Sequence, residues 1–265
     1  MTHELKALVT LLTDPSARLL VVTGAGISLA SGIPTFRGSD EGAVWSNDVM
    51  ENATLRHFQQ NPVHAWQWYL DRFDKCWDAT PNSAHHALVE LATKVHTDVV
   101  TQNIDGLHHQ AGQPGLIEIH GAARFLRCTR QSCDGGGGRE DRLVPFGAQF
   151  NRFKYTGQYN HLARCPKCRK LFRPHVLWFD EFYTGHKAYQ YEQALGLAAA
   201  ATVLLVVGTS FSVGFMDAIV EQSVANDVAL HIVDPNVTMK TMTFAWAGYH
   251  IEKAEVFLPA LVAAL

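Results

Sequence analysis

Four short apolar runs punctuate the chain, at residues 19–23, 98–101, 203–207 and 229–233. Each is mostly β-branched or leucine and gives way to polar residues or glycine, the pattern of parallel strands covered on both faces. Helical spacing lies between them. Residues 1–16 carry Leu5, Leu8, Val9 and Leu12 on one face, residues 82–93 open on the cap sequence Pro81-Asn82-Ser83, and residues 212–225 form a third helical stretch. The alternation predicts an α/β fold, a Rossmann-like parallel sheet with helices on both faces.

Two segments break the alternation. Residues 31–79 are rich in aromatics (Trp45, Phe58, Trp66, Trp68, Phe73, Trp77) and read as an inserted helical module. Residues 122–174 hold four of the five cysteines and the glycine-rich run 134–138, and read as a metal-stapled insertion of the zinc-ribbon kind. The expected organisation is one unit over 1–265. In it, residues 1–30, 80–121 and 175–265 build the Rossmann-like nucleotide-binding part, 31–79 the helical module and 122–174 the zinc module.

Composition narrows the class but not the chemistry. Apolar residues make up 47% and charged residues 18%, the balance of a soluble globular enzyme rather than a disordered chain. A formal charge of -3 gives no long-range attraction to nucleic acid, and the mild basic cluster Arg164, Lys167, Arg169, Lys170 and Arg173 is explained as well by a solvated metal module. Glu4 and Asp14 argue against a leader peptide, and no apolar run approaches the roughly 18 residues of a membrane span. A cytoplasmic protein with no membrane or nucleic-acid partner is expected. Nothing marks a self-complementary interface, so the oligomeric state stays open.

The cysteines are the sharpest local signal. Four residues separate Cys128 from Cys133, two separate Cys165 from Cys168, and 31 lie between the pairs. Two close pairs joined by a loop suit tetrahedral Zn²⁺, each pair spanning one edge of the tetrahedron. Two disulfides are the alternative, but nothing indicates an oxidising compartment. Four thiolates leave no open position for water, so such a zinc is structural. Cys76, beside Trp77, reads as a small buried residue.

Polar chemistry concentrates where the apolar runs end. Thr101-Gln102-Asn103-Ile104-Asp105-Gly106-Leu107-His108-His109 crowds an amide, a carboxylate and two imidazoles after one strand. Thr23-Gly24-Ala25-Gly26-Ile27-Ser28 follows another, and Gly208-Thr209-Ser210 a third. In open α/β sheets ligands bind at the carboxyl ends of strands, and glycine turns there let backbone N–H groups approach a pyrophosphate. One nucleotide site built from all three is expected. Gly32-Ile33-Pro34-Thr35-Phe36-Arg37-Gly38 reads as a lid with Arg37 near phosphate or ribose. A dehydrogenase is disfavoured: position 29 is Leu, no glycine follows until Gly32, and the acidic Asp40 and Glu41 follow no strand.

Taken in order, Gly24-Ala25-Gly26-Ile27-Ser28, the Gly32–Gly38 loop, Thr101–Leu107, His120-Gly121, the cysteine pairs and Gly208-Thr209-Ser210 resemble the sirtuins, the NAD-dependent protein-lysine deacylases. The resemblance runs from about Leu19 to Pro235 and is closest to the small bacterial type without appended tails. It implies acyl-lysine proteins or peptides as substrates and NAD as co-substrate. The acyl oxygen attacks C1′ of the nicotinamide ribose, nicotinamide leaves, and O-acyl-ADP-ribose and free lysine follow. His120 would be the catalytic base, an imidazole able to take a ribose hydroxyl proton near neutrality. Asn103 would order the ribose and a water, Asp105 would hold the nicotinamide carboxamide, and Gln102 would meet the ribose hydroxyls. Gly24, Ala25, Gly26, Ser28, Phe36, Arg37, Ile104, Gly208, Thr209, Ser210, Asp234 and Asn236 would complete the NAD site. His108 and His109 carry no such assignment and are expected to cap the loop or face solvent.

On the substrate side, the resemblance assigns Val176, Trp178, Phe179 and Asp180 to the strand that pairs with the peptide. Asp180 stands where sirtuins usually have Gly, and Phe215 where they commonly have Pro. The carboxylate at 180 is expected to narrow or re-charge the groove and to favour basic residues near the lysine. Tyr69 and Arg72, three apart and so on one helix face, resemble the pair of sirtuins that prefer acidic acyl groups, which makes desuccinylase or demalonylase capacity an expectation beside deacetylation. Asp71 could compete for Arg72. The alternative activity on the same scaffold is protein ADP-ribosyl transfer or NAD hydrolysis, and a non-catalytic NAD-binding module is the least favoured reading.

Overall fold

A computed structural model describes residues 2–34, 51–133, 143–211, 214–236 and 244–265. The chain opens with helix α1 (His3–Leu12), strand β1 (Arg18–Thr23) and a 3₁₀ turn (Ala25–Ser31). Helices α2 (Leu55–Gln60), α3 (Pro62–Asp78) and α4 (Ser83–Lys94) lead to β2 (His96–Thr101), α5 (Leu107–Gln110) and β3 (Leu116–Glu118). Then come β4 (Gly121–Cys128), β5 (Val144–Pro145), α6 (Asn151–Thr156) and β6 (Phe172–Val176). The C-terminal part holds α7 (Tyr191–Ala200), β7 (Val203–Val207), α8 (Gly214–Ala225), β8 (Ala229–Val233), β9 (Gly248–His250) and α9 (Ala254–Ala264).

The large sheet is six-stranded, in the order β3-β2-β1-β7-β8-β9, with every pair parallel. Strand alternation explains why helices are needed on both faces. Leu19, Val21, Val99, Val203, Leu205 and Val207 point into one core with α1, α4 and α9. Leu20, Val22, Val100, Leu204, Val206 and Ile232 point into another with α7 and α8. Helix α4 starts where its cap sequence says: Asn82 Oδ1 accepts from Ala84 N at 2.9 Å, and His85 Nδ1 accepts from Asn82 N at 3.3 Å. The chain leaves β1 toward β2 on one side and toward β7 on the other, which places a crevice at the carboxyl ends of these three strands.

The two inserted segments share one core. Phe58, Trp66, Tyr69 and Phe73 from α2 and α3 pack with Leu126, Phe150, Phe153, Phe172 and Trp178 around the cysteines. Here β4 pairs antiparallel with β5 and β6 in a three-stranded sheet. Among the described residues no helix is long and apolar enough to cross a membrane.

Several histidines lie inside this fold. His85 is fully buried, His108 nearly so, and His250 sits against His231 with Nδ1–Nε2 3.0 Å. Burial pushes the imidazoles of His85 and His250 down to about 4 and that of His108 to about 3. The unfolded chain binds protons at these positions from about pH 6.5 downward, while the native state refuses them until much lower pH. Stability should therefore be complete above about pH 6.5 and fall toward pH 4, each such imidazole contributing a slope of about 1.4 kcal/mol per pH unit. Urea midpoints at pH 7.5 and pH 5 measure this; equal midpoints would show that these imidazoles titrate normally.

Candidate active site

The carboxyl ends of β1, β2 and β7 are stitched together by the ladder running on past the strands. Gly24 N donates to Val207 O, Gln102 N to Thr23 O and Gly26 N to Gly208 O. A Cβ at Gly24 would lie 2.7 Å from Gly208 O, one at Gly26 2.7 Å from Gly208 Cα, and Gly208 itself has φ of 60°. The glycine turn is thus required by the close packing of two strand ends as well as by any ligand.

On this base the polar side chains converge. Asn103, 4% exposed, donates from Nδ2 to Gly24 O at 3.0 Å and to Ser28 Oγ at 3.2 Å. Ser28 Oγ in turn donates to Asp105 Oδ2 at 2.8 Å, and Asp105 Oδ1 accepts from Leu107 N at 2.9 Å. Burial raises the Asp105 carboxyl above its ordinary value, against those two hydrogen bonds. Gln102 Nε2 donates to Thr209 Oγ1 at 3.0 Å, joining β2 to β7. A cleft lies here, lined by Ala25, Ser28, Ile33, Asn103, Ile104 and Asp105, together with Cys76. Two isoleucines beside an amide and a carboxylate suit a flat ring carrying a carboxamide, so these residues fit the nicotinamide end of NAD.

His120 stands at the end of β3. Its Nδ1 lies 2.8 Å from Gln102 O, and because a carbonyl can only accept, the proton is on Nδ1. Nε2 is the basic nitrogen and accepts from Tyr183 Oη at 3.1 Å. Burial lowers this imidazole to about 4 despite the Gln102 carbonyl. Gly121 follows at φ 82°, and a Cβ there would run into His175 O; only glycine lets β4 leave against β6. Leu177 N donates to His120 O at 2.9 Å, tying the stretch beyond β6 to the histidine.

At the end of β6 Val176 is buried, and beyond it Trp178 is buried while Phe179 and Asp180 are exposed. Glu181 anchors this stretch, accepting from Trp178 N at 3.1 Å and from both Arg173 and Arg127. The Asp180 carboxylate accepts from Leu55 N at 2.7 Å and Arg56 N at 3.1 Å, so it caps α2, a contact contributing about 1 kcal/mol. Phe215 is fully buried, packed against Tyr183 and Tyr191.

His108 neither caps nor faces solvent: 2% exposed, it meets Thr23 Oγ1 at 2.9 Å, and Thr23 donates on to Thr101, whose hydroxyl accepts from Asn103 N. His109 is exposed. Tyr69 is 2% exposed, beside Phe73 and Trp178. Arg72, half-buried, stacks 3.5 Å over Trp68 and donates to Trp68 O, with Asp71 exposed beside it. Asp234 and Asn236 follow β8, the Asp234 carboxylate accepting from Asn236 N at 2.8 Å, and Ser210 is exposed. Phe36 and Arg37 lie outside the described residues. Cys76 and Tyr183 are the site neighbours that motif reading passes over.

The four cysteines come together as expected. All four Sγ atoms lie within 4.8 Å of one another, with Cys128–Cys168 at 3.4 Å and Cys133–Cys165 at 3.6 Å, and none is in a disulfide. Sulfurs held about 2.3 Å from one Zn²⁺ would be about 3.8 Å apart, so the cluster fits a structural zinc.

Comparison with known proteins converges on one family. A family model described as the Sir2 family matches residues 24–214. An NAD-dependent protein deacylase of Pyrococcus furiosus is 36% identical over 252 residues, 93% of this chain and 92% of that protein. One from Aeropyrum pernix is 39% identical over 193 residues, 72% of this chain and 70% of its own length. Among solved structures, a Sir2 homologue mutant in complex with ADP ribose superposes with a TM-score of 0.80 at 30% identity, covering 100% of this chain and 96% of that one. A Sir2 homolog–NAD complex gives 0.78 at 30% identity over 97% and 92%.

Proposed function

The chain belongs to the Sir2 family and acts as an NAD-dependent protein deacylase, and we propose that His120, Asn103 and Asp105 carry its chemistry. NAD, when bound, supplies a ribosyl centre for the acyl oxygen and nicotinamide as the leaving group. Asp105, fixed by Ser28 and Leu107 N, accepts the carboxamide N–H and orients the ring. Asn103, locked by Gly24 O and Ser28, presents its carbonyl oxygen to ribose and water. Gln102, Thr209 and Ser210 meet ribose and phosphate, with Asp234 and Asn236 toward the adenosine end. His120 Nε2 takes a ribose hydroxyl proton and so drives collapse to free lysine. The observation that carries the reading is the contact of His120 Nδ1 with the carbonyl of Gln102, which fixes the proton there and leaves the lone pair on Nε2, while the neighbouring Asn103 begins the Asn103–Ser28–Asp105 chain.

Peptide would dock along residues 176–180. Acyl choice falls to Arg72, since Tyr69 is packed into the wall against Trp178. A charge-assisted contact of about 1.5–3 kcal/mol makes acidic acyl chains about 10- to 100-fold better substrates than the same enzyme would manage without it. Incubating the protein with NAD and matched acetyl-, succinyl- and longer-acyl-lysine peptides, with products followed by mass spectrometry, tests both levels. Free lysine with O-acyl-ADP-ribose is the expected outcome, and nicotinamide release without free lysine would turn the assignment to hydrolysis or ADP-ribosyl transfer. In Arg72→Met the succinyl-to-acetyl rate ratio should fall at least tenfold; an unchanged ratio removes Arg72 as the acyl reader.

A further inference from the structure

His120 has one acceptor nitrogen, and it is in use. With the proton fixed on Nδ1 by Gln102 O, the Nε2 lone pair accepts the Tyr183 hydroxyl at 3.1 Å. A neutral imidazole accepts one such hydrogen bond. The ribose hydroxyl that gives its proton to this nitrogen must therefore take the place of Tyr183. Tyr183 is held for that contact: its ring stacks on Tyr191, centroids 5.1 Å apart at 18°, and leans on Phe215 at 5.7 Å. It opens the short turn Tyr183–Gly185 directly after the Glu181 anchor of residues 176–180.

We infer that Tyr183 is a positioning residue for the base, a resident hydroxyl that occupies Nε2 until the ribose hydroxyl displaces it. The inference rests on the assignment of His120 as base. Exchanging one O–H donor for another keeps the buried nitrogen paired throughout, which avoids the penalty of an orphaned acceptor in a desolvated site. It also sets a threshold: the onward step competes with the resting contact, while the earlier departure and return of nicotinamide do not involve Nε2.

The readout is therefore a partition ratio, free lysine formed against labelled nicotinamide exchanged back into NAD, measured in the same sample. The ratio cancels the amount of folded enzyme. Tyr183→Phe keeps the ring stack and removes only the hydroxyl, and it should shift the ratio toward free lysine about fivefold, the worth of one neutral hydrogen bond. Tyr191→Phe, which removes a hydroxyl from the same stack, should leave the ratio unchanged. An unchanged or lowered ratio in Tyr183→Phe, or an equal rise in Tyr191→Phe, overturns the inference. His120→Ala reports on the base separately: there the ratio should collapse toward exchange, and a retained ratio would remove the base assignment itself.

Discussion

Replacing Cys165 by Ser should release the metal and unfold the smaller core while the six-stranded sheet persists. Cys165 is fully buried, and with Cys128 and Cys133 it belongs to the same apolar cluster as Trp66, Phe150, Phe153 and Phe172. A structural Zn²⁺ site in small domains is worth about 10–16 kcal/mol, as much as a whole domain's stability. Three remaining thiolates, drawn together in a buried cluster without their cation, repel one another and lack solvation. The pairing of β4 with β6 ends at Cys128 and Phe172, so its loss propagates along β6 toward Leu177 and its bond to His120 O. Metal analysis should fall from one zinc per chain to none, near-UV circular dichroism should lose its aromatic signal, and deacylation should drop at least a hundredfold. The large sheet buries its own cores, so far-UV dichroism should keep its β7 and β8 contribution and NAD should still bind, though more weakly. A Cys165→Ser protein that keeps equimolar zinc or wild-type dichroism would show that the cluster is not the staple of this module.

What could be read in advance follows from how far each signal reaches along the chain. The strands β1, β2, β7 and β8 are buried on both faces, so apolar runs marked them, whereas β3 and β9 are three residues long and carry Glu118 or Gly248 inside them. The cysteines were legible because zinc fixes spacing. Asp180 was not, because its partners are the backbone N–H groups of Leu55 and Arg56, brought there only by the shared core of the two insertions. His108 looked like a loop histidine; its burial against His85 depends on α4 packing beneath the loop. Gly24 and Gly26 read as a turn for phosphate, yet the space they leave is also taken by Gly208. Tyr183 lies in a stretch with no periodicity and declares itself only through its 3.1 Å contact with Nε2.

His120→Ala should lower deacylation about 10²- to 10⁴-fold, the usual worth of a positioned base, with little change in NAD affinity. The affinity should hold because the groups assigned to the nicotinamide end, Asn103, Ser28 and Asp105, are bonded to one another and to backbone rather than to the imidazole. A loss confined to turnover is the signature of an interaction made only as the reaction proceeds. Titration calorimetry with NAD, beside peptide turnover by mass spectrometry, separates the two quantities. Turnover within tenfold of wild type would remove His120 as the base, and an equal loss in affinity would make it a structural post. The pH profile adds an independent check. The base must be neutral to accept, and burial holds this ring down to about 4, so the acid limb of kcat/KM should lie well below the 6.5 of an exposed imidazole. Activity should thus persist through pH 6 and fail only as Nε2 is protonated near pH 4–5. A limb at 6.5 would mean that water reaches the ring, and with it that the contacts of Gln102 and Tyr183 do not enclose the base in solution.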